Sequence, residues 1–588
     1  MCGIAGTVRW DGRDDEAVAG LMSRALAHRG PDADGLARRG PAVLAHRRLS
    51  IIDTGSAANQ PMDLPEAGLT IVFNGEIYNF AVLRTVLEGR GHHFQTHSDT
   101  EVLLHAFAEW GTGCLERLVG MFAFAVWDQR RRVLTLARDR LGKKPLFFAL
   151  RGEGIAFASE LKALRLHPFV DGSISSRAVS QFLSLGYVLG DACILDGVEK
   201  LGPGEVLEVG EAHVERRSYW NLAAHFQAKR RFTSRDAAMD ELGELIDTAV
   251  RDRMVSDVPL GAFLSGGLDS AMAVEAMARS GRLGGIETFT IGFSERGYSE
   301  AAEARISADA LGVRNHAHHV DAAMAGILPA MVHAADEPFA DTSMIPLWFL
   351  SEFARRHVTV CLSGDGGDEA FGGYVTYAAD RIHQMTRWIP GWAAASGGRI
   401  LDAVVPATHA KVGWDYKARQ FLAGHPLPFP QAHYSWRTLF EGDAKTALLH
   451  PDRRAAVLAC RPFDSFARHF QAVEGCHYLD QAMYVDIKTW LADDILVKVD
   501  RMTMAHSLEA RAPLLDHRVV EFAAALPVDW KLRGLTTKYI LKEAARRRLP
   551  ARVIDRRKAG FNAPVAHWLN GGLAELARGV TLGGPLLE

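Results

Sequence analysis

The apolar pattern of this 588-residue chain changes character once, and that change limits the fold more than any other feature. Up to about residue 210 the apolar residues come in short runs, at 69–73, 121–127, 133–137 and 144–150, divided by Gly, Asp and Arg turn signals. Helical stretches interrupt them at 16–27 and 80–88. From about Ser234 onward, apolar runs at 259–264, 288–293 and 357–362 each lead through a Gly-rich turn into a helical stretch. That alternation predicts a parallel sheet with crossover helices. After about residue 375 the chain is mainly helical, with a sharp helix start at Asp516 before 517–526. The expected organisation is an α+β domain over 1–210, a linker over 211–233, and an α/β parallel-sheet domain with a helical C-terminal part over 234–588.

Charge and cysteine usage remove several classes of function. Lys+Arg number 67 against 70 Asp+Glu, a net charge of -3, so no global basic field exists to track a nucleic acid or an anionic membrane. No apolar run approaches the ~18 residues of a membrane span, and no basic segment followed by an apolar stretch opens the chain. Cys2, Cys114, Cys193, Cys361, Cys460 and Cys476 form no C-x-x-C pair, which argues against a zinc ribbon and fits a reducing cytoplasm. The expected partners are small molecules.

Cys2 follows the initiator Met, and a residue this small normally permits removal of that Met. The chain would then begin with a thiol and an α-amine on one residue. An α-amine titrates at roughly 7.7–8.0, close enough to neutrality to act as a built-in base for the thiol. Downstream stand His28-Arg29-Gly30-Pro31-Asp32, His46 to Asp53, Phe73-Asn74-Gly75-Glu76-Ile77-Tyr78-Asn79 and Ser98-Asp99. Taken singly, Arg48 reads as a surface charge, Asn74-Gly75 as a hairpin turn and Asp99 as a helix cap. Together with Cys2-Gly3-Ile4 the set resembles the class II glutamine amidotransferases, the N-terminal nucleophile glutaminases, which stack two antiparallel sheets between helix layers (αββα). The resemblance implies that Cys2 attacks glutamine's side-chain amide and that Arg48 grips its carboxylate bidentately. It further implies that Glu76 and Asp99 receive the ammonium, while the Asn74 side chain and the Gly75 N–H form the oxyanion hole. His46 and Arg47 are read as structural.

A second cluster lies at the predicted parallel sheet. Phe263-Leu264-Ser265-Gly266-Gly267-Leu268-Asp269-Ser270 runs from a strand into a helix, a Gly-rich turn that presents N–H groups to an anion. Neither a Walker sequence nor a G-x-G-x-x-G fingerprint occurs. The loop resembles that of the ATP pyrophosphatases, which split ATP between the α and β phosphates. The resemblance makes Leu264, Ser265, Gly266, Gly267, Asp269, Ser270, Ile291, Ser363 and Gly364 ATP contacts. Asp269 and Asp368, of Leu362-Ser363-Gly364-Asp365-Gly366-Gly367-Asp368-Glu369, would hold Mg²⁺, and Asp365 would act as the carboxylate near the adenylate. Lys558 in Arg556-Arg557-Lys558-Ala559-Gly560-Phe561 would neutralise the α-phosphate. The run Arg546-Arg547-Arg548 reads as a solvated helix face, and His316, His318 and His319 as a strand edge.

A glutaminase joined to an AMP-forming ATP site resembles the glutamine-hydrolysing asparagine synthetase family, along nearly the whole chain. The implied chemistry is attack of an acceptor carboxylate, aspartate by resemblance, on MgATP. Ammonia led through an apolar tunnel would then attack the acyl-adenylate. A homodimer is compatible with it. Where some members carry Thr-Thr-Ile-Arg this chain reads Asp341-Thr342-Ser343-Met344, so sugar acids, peptides or secondary metabolites are alternative acceptors. An intramolecular cyclase would not need ammonia, and the retained Cys2, Arg48, Asn74 and Asp99 speak against it.

Overall fold

The computed structural model describes residues 2–281, 285–295, 298–320, 326–405, 413–556, 563–571 and 573–583. Two six-stranded antiparallel sheets form the first half. The strand Gly3–Arg9, which carries Cys2 at its start, lies inside one sheet between Ala42–Arg48 and Gly154–Ala158. In the other sheet Leu69–Ile77 pairs along its length with Gly120–Asp128. Ile4, Val8 and Leu44 from the first sheet interdigitate with Val72, Ala123, Ala125 and Trp127 from the second. Helices cover the outer faces: Glu16–Ala25 on the first sheet, Phe80–Glu88 and Asp99–Trp110 on the second. The expected αββα arrangement is the observed one. The strand His213–Ser218, inside the stretch read as a linker, pairs with Glu205–Gly210 and extends the second sheet to residue 218, because its backbone donors find a ladder there.

The second half is built on a five-stranded sheet in the order Arg314–Val320, Glu287–Phe293, Leu260–Phe263, Val360–Leu362, Glu509–Arg511, every pair parallel. Leu260–Phe263 comes first in sequence yet sits in the middle, so the connections leave it toward both sides. Ligands of open α/β sheets bind outside the strand C-termini at such a reversal. The loops starting at Leu264 and Ser363 follow the two strands that meet there. The strand bearing His316, His318 and His319 is the sheet edge, as its sequence suggested, and no cluster of three or more metal-ligating side chains occurs among the described residues. Arg546 and Arg547 are exposed, as their sequence suggested, and with half-buried Arg548 they lie just past the helix Tyr539–Ala545. Arg547 makes exposed pairs with Asp236 and Asp240, and the less exposed Arg548–Asp247 pair ties this end to the long helix Arg235–Arg253. Among the described residues no helix is long and apolar enough to cross a membrane.

The two halves meet over charged as well as apolar groups. Arg29, 0% exposed, donates from Nε to the Cys2 carbonyl (3.0 Å), from Nη1 to Glu160 (2.7 Å) and Asp500 (2.8 Å), and from Nη2 to Asp500 (3.0 Å). Asp500 belongs to the helix Leu496–Met504 of the second half, and Arg501 beside it pairs with Glu160 and Asp336. Leu49, Ile51, Tyr78 and Met121 pack against Val360 and Met504 in one small cluster that spans the boundary. Replacing Arg29 by Leu removes the nearest cation that Glu160 and Asp500 share and leaves Arg501 between them at 3.2 and 3.7 Å, a loss below the roughly 3–5 kcal/mol of a fully unpaired buried charge. The Arg29→Leu chain should therefore unfold at clearly lower urea concentration, and an unchanged midpoint would contradict the weight given to this cluster.

Candidate active site

Cys2 is 8% exposed and its backbone N–H donates to Asn74 Oδ1 at 3.0 Å. Asn74 Nδ2 is buried and has no hydrogen-bond partner. Asn74 and Gly75 are not a turn: they lie in the middle of Leu69–Ile77, with Gly75 opposite Phe122. A side chain on Gly75 would meet the Met121 carbonyl at 2.1 Å, so only glycine permits this pairing. Phe73 N–H reaches Gln60 Oε1 (2.6 Å) and Ile77 N–H reaches Asp99 Oδ2 (2.9 Å), both away from the neighbouring strand. By the two-residue period of a strand the Gly75 N–H shares that direction. Two donors thus converge beside a buried thiol whose pKa burial raises and the amino terminus and Arg48 hold back.

Arg48 departs from the expected bidentate grip. Nη1 donates to the Gly55 carbonyl and Asn59 Oδ1, both 2.8 Å, and Nη2 to the carbonyls of Ile52 and Asp53. Four of its five donors therefore hold the 52–59 loop, and Nε is the one left over. His46 Nε2 bonds the Phe73 carbonyl at 3.1 Å and ties the two sheets together, in keeping with a structural role.

Asp99 opens the helix Asp99–Trp110, but the cap is Ser98, whose hydroxyl accepts from Thr100 N–H at 3.0 Å. That frees the Asp99 carboxylate for Ile77. Glu76 is 5% exposed and burial, with Glu509 next and Asp99 behind it, pushes its pKa well up, while Arg511 opposes the shift. Asp99 is pushed up to about 6, mainly by burial.

At the parallel sheet the Ser265 N–H is 3.1 Å from Ser270 Oγ and the Gly267 N–H is 3.1 Å from Ser265 Oγ, folding the loop onto the start of the helix Leu268–Arg279. The neighbouring loop touches it: a Cβ on Gly364 would lie 2.6 Å from Ser270 N, and one on Gly367 2.5 Å from Asp269 Cγ. Leu264 is held by Thr290, and Ile291 is a core side chain, 3% exposed, so any nucleotide contact there is by backbone. Ser363 Oγ donates to Asp365 Oδ2 at 2.8 Å, and burial raises Asp365. Lys558 lies outside the described residues; nearby Arg556 leans across Gly266 and pairs with Glu303 at 3.2 Å.

Two lysines that the sequence reading missed complete the site. Lys538 Nζ contacts Asp269 Oδ2 and lies 2.7 Å from Asp368 Oδ1. The carboxylates assigned to a metal thus converge on one cation, a donor set that fits a Mg²⁺ ion otherwise bound by phosphate oxygens and water. Lys498 Nζ donates to Asp341 and Ser343, both at 2.6 Å, and Asp365 adds to the field that holds its proton. A positive φ of 53° at Lys538 is invisible in sequence. Between the two sites a cavity is lined by Met121, Lys143, Ser363, Asp365, Leu496 and Val499. Met121 stands opposite Glu76 in the ladder, and Lys144 and Asp500 also line the cavity, so its wall is more charged than the expected apolar tunnel.

The glutamine amidotransferase domain pattern matches residues 1–220, and the asparagine synthase pattern residues 241–583. The chain is 34% identical to the glutamine-hydrolyzing asparagine synthetase 1 of Bacillus subtilis, covering 99% of this chain and 90% of that protein. It is 36% identical to a putative glutamine-hydrolyzing asparagine synthetase of Mycobacterium tuberculosis, over 97% of this chain and 89% of that one. A fungal protein named amidase chry2, from Gibberella zeae, is 27% identical over 97% and 90%.

A cation-binding carboxylate works only while ionised. With Asp99 titrating near about 6, kcat/KM for glutamine should fall as pH drops through that value, by about tenfold per pH unit. Asp99→Asn should move that acid limb and leave one set by Glu76, whose pKa is also pushed up; a wild-type profile flat down to the ordinary carboxylate range would exclude Asp99 from substrate binding.

Proposed function

The chain belongs to the glutamine-hydrolysing asparagine synthetase family of ATP-using ligases, and from that footing we propose that it converts aspartate to asparagine in the cytoplasm. The observation that carries the glutaminase half is the buried, unpartnered Asn74 Nδ2 next to Cys2. Once Met1 is removed, the Cys2 α-amine takes the thiol proton and Sγ attacks the amide carbon of glutamine. The developing oxyanion is received by Asn74 Nδ2 and the Gly75 N–H. The α-ammonium returns that proton to the amide nitrogen, ammonia leaves as the C–N bond breaks, and water then hydrolyses the thioester to glutamate and the free thiol. Glu76 and Asp99 take the ammonium of the substrate, and Arg48 meets its carboxylate through Nε.

Ammonia then moves along the interior cavity from Met121 toward Asp365. Free ammonia in bulk water takes a proton and loses its lone pair, so an enclosed route keeps it reactive. In the synthetase half an acceptor carboxylate oxygen attacks the α-phosphorus of ATP, pyrophosphate departs, and ammonia displaces AMP from the acyl-adenylate. The 265–270 loop cradles the phosphates. Asp269 and Asp368 would hold Mg²⁺, which supplies charge neutralisation to the leaving pyrophosphate. For Lys558 we propose the same service at the α-phosphate.

Aspartate as acceptor is supported by the names of the relatives at 34% and 36% identity. A second reading, the same chemistry on another carboxylate, is favoured by Lys498: this cation beside Asp365 is already engaged by Asp341 and Ser343. Two measurements test the scheme. Cys2→Ala should abolish glutamine-dependent amide formation and leave ammonia-dependent formation intact; loss of both would sink the two-site reading. AMP formation scored across aspartate, succinate, sugar acids and small peptides should be highest with aspartate, and a stronger response to any other acid would transfer the assignment to it.

A further inference from the structure

The carboxylate assigned to the ammonium of glutamine faces a residue of the other half. Arg511, 0% exposed, lies on the edge strand Glu509–Arg511 of the parallel sheet. Its Nε donates to Glu509 Oε1 at 2.6 Å, and Nη1 donates to the carbonyls of Arg253 (2.8 Å) and Val255 (2.6 Å). Three anchors on two faces of a planar fork leave it no freedom to swing. The remaining Nη2 has no hydrogen-bond partner, and it stands 3.4 Å from Glu76 Oε2, which has none either. The ring of Tyr78 lies beneath Arg511 and Arg253, at 5.6 and 4.3 Å from their guanidinium carbons, and closes the site from below. Buried polar atoms left without partners are rare in folded proteins. Here two of opposite charge form an ion pair across the domain boundary, with no hydrogen bond to either atom.

The same residue reaches the second site through its backbone. Its carbonyl accepts the Ser363 N–H at 2.8 Å, and the Ser363 hydroxyl donates to Asp365. A shift of the Arg511 strand toward or away from Glu76 therefore moves the residue that orients Asp365.

We propose that Arg511 is a positioning residue of the glutamine site, holding Glu76 in place for the substrate's ammonium from the synthetase side. The inference rests on the reading that Glu76 receives that ammonium. Around Glu76 stand Glu509 and Asp99, both acidic, with Arg511 the stronger of two opposing positive groups and the amino terminus the weaker. With Arg511 gone, three buried acids face one another and Glu76 keeps a proton instead of binding a cation.

The test uses the full-length enzyme. Arg511→Gln should raise the KM for glutamine by roughly tenfold or more, the order expected for removing one partner of a buried charge pair. It should leave kcat for glutamine hydrolysis within about threefold and move the acid limb of kcat/KM to higher pH. In a Glu76→Gln background the same change should cost no further KM, because a residue acting through Glu76 has nothing left to position. Arg511→Lys keeps the cation and should recover part of the loss, which covers the case in which the glutamine variant does not fold. An unchanged KM in either soluble Arg511 variant, or additive effects in the double variant, would overturn the proposal. An unchanged KM in Glu76→Gln alone would instead overturn the role of Glu76 on which it stands.

Discussion

The guanidinium of Arg29 is the constraint on which the rest of the molecule depends. It is fully buried, and a buried charge is tolerated only when its donors are met. Its partners come from three places: the Cys2 carbonyl, Glu160 of the first half and Asp500 of the second. The position of the nucleophile is thereby fixed relative to a helix nearly five hundred residues later. Lys144 and Arg501 thicken the same cluster, at 3.6 and 3.7 Å from Asp500. A surface ion pair would contribute little, whereas a pair sealed from water has no solvent to fall back on if the halves part. The close docking an ammonia route requires is thus made by these buried charges together with apolar packing, in the small Leu49–Met504 cluster and in a larger one that joins Leu141, Leu185, Tyr187 and Leu189 to the second half.

Much of the fold was legible because local pattern and local structure agree. The strands at 69–73 and 121–127 were found, though each runs a few residues longer, since pairing continues through Asn74-Gly75-Glu76 where the apolar pattern stops. Polar residues in a core strand look like a turn in sequence; Gly75 sits in the strand because the Met121 carbonyl leaves no room for a side chain. The helix start at Asp516 was legible for the opposite reason: its cap bond to Arg518 N–H is local, at 3.0 Å.

The chemistry was legible in part. Cys2, Asn74, Glu76 and Asp99 were expected at one site, and the structure brings them together; Ser265, Asp269, Ser363 and Asp368 likewise meet at the strand ends. What remained hidden were the cations. Lys538 pairs with Asp269 across 269 positions, Lys498 with Asp341 across 157, and Arg511 approaches Glu76 from the other half. No periodicity reports such a pairing, because it is made by the docking of distant elements. In the run 546–548, which reads as solvated, Arg546 and Arg547 are exposed, and the Arg548–Asp247 pair was hidden for the same reason.

These cations share a property that bears on how the sites bind. Glu76 faces Arg511, Asp269 and Asp368 share Lys538, and Asp341 holds Lys498, each beside a group proposed to meet substrate or metal. Burying an uncompensated carboxylate would raise its pKa until it took up a proton, as burial already pushes Glu76 and Asp365 upward. A resident cation opposes that drift. An arriving ammonium or divalent ion therefore meets a carboxylate that is already ionised, and at Glu76 the anchored Arg511 shares that carboxylate and stays in place. A neutral ligand in the same place would bury the acid without a second partner, so the sites favour charged ligands by keeping their acids ionised.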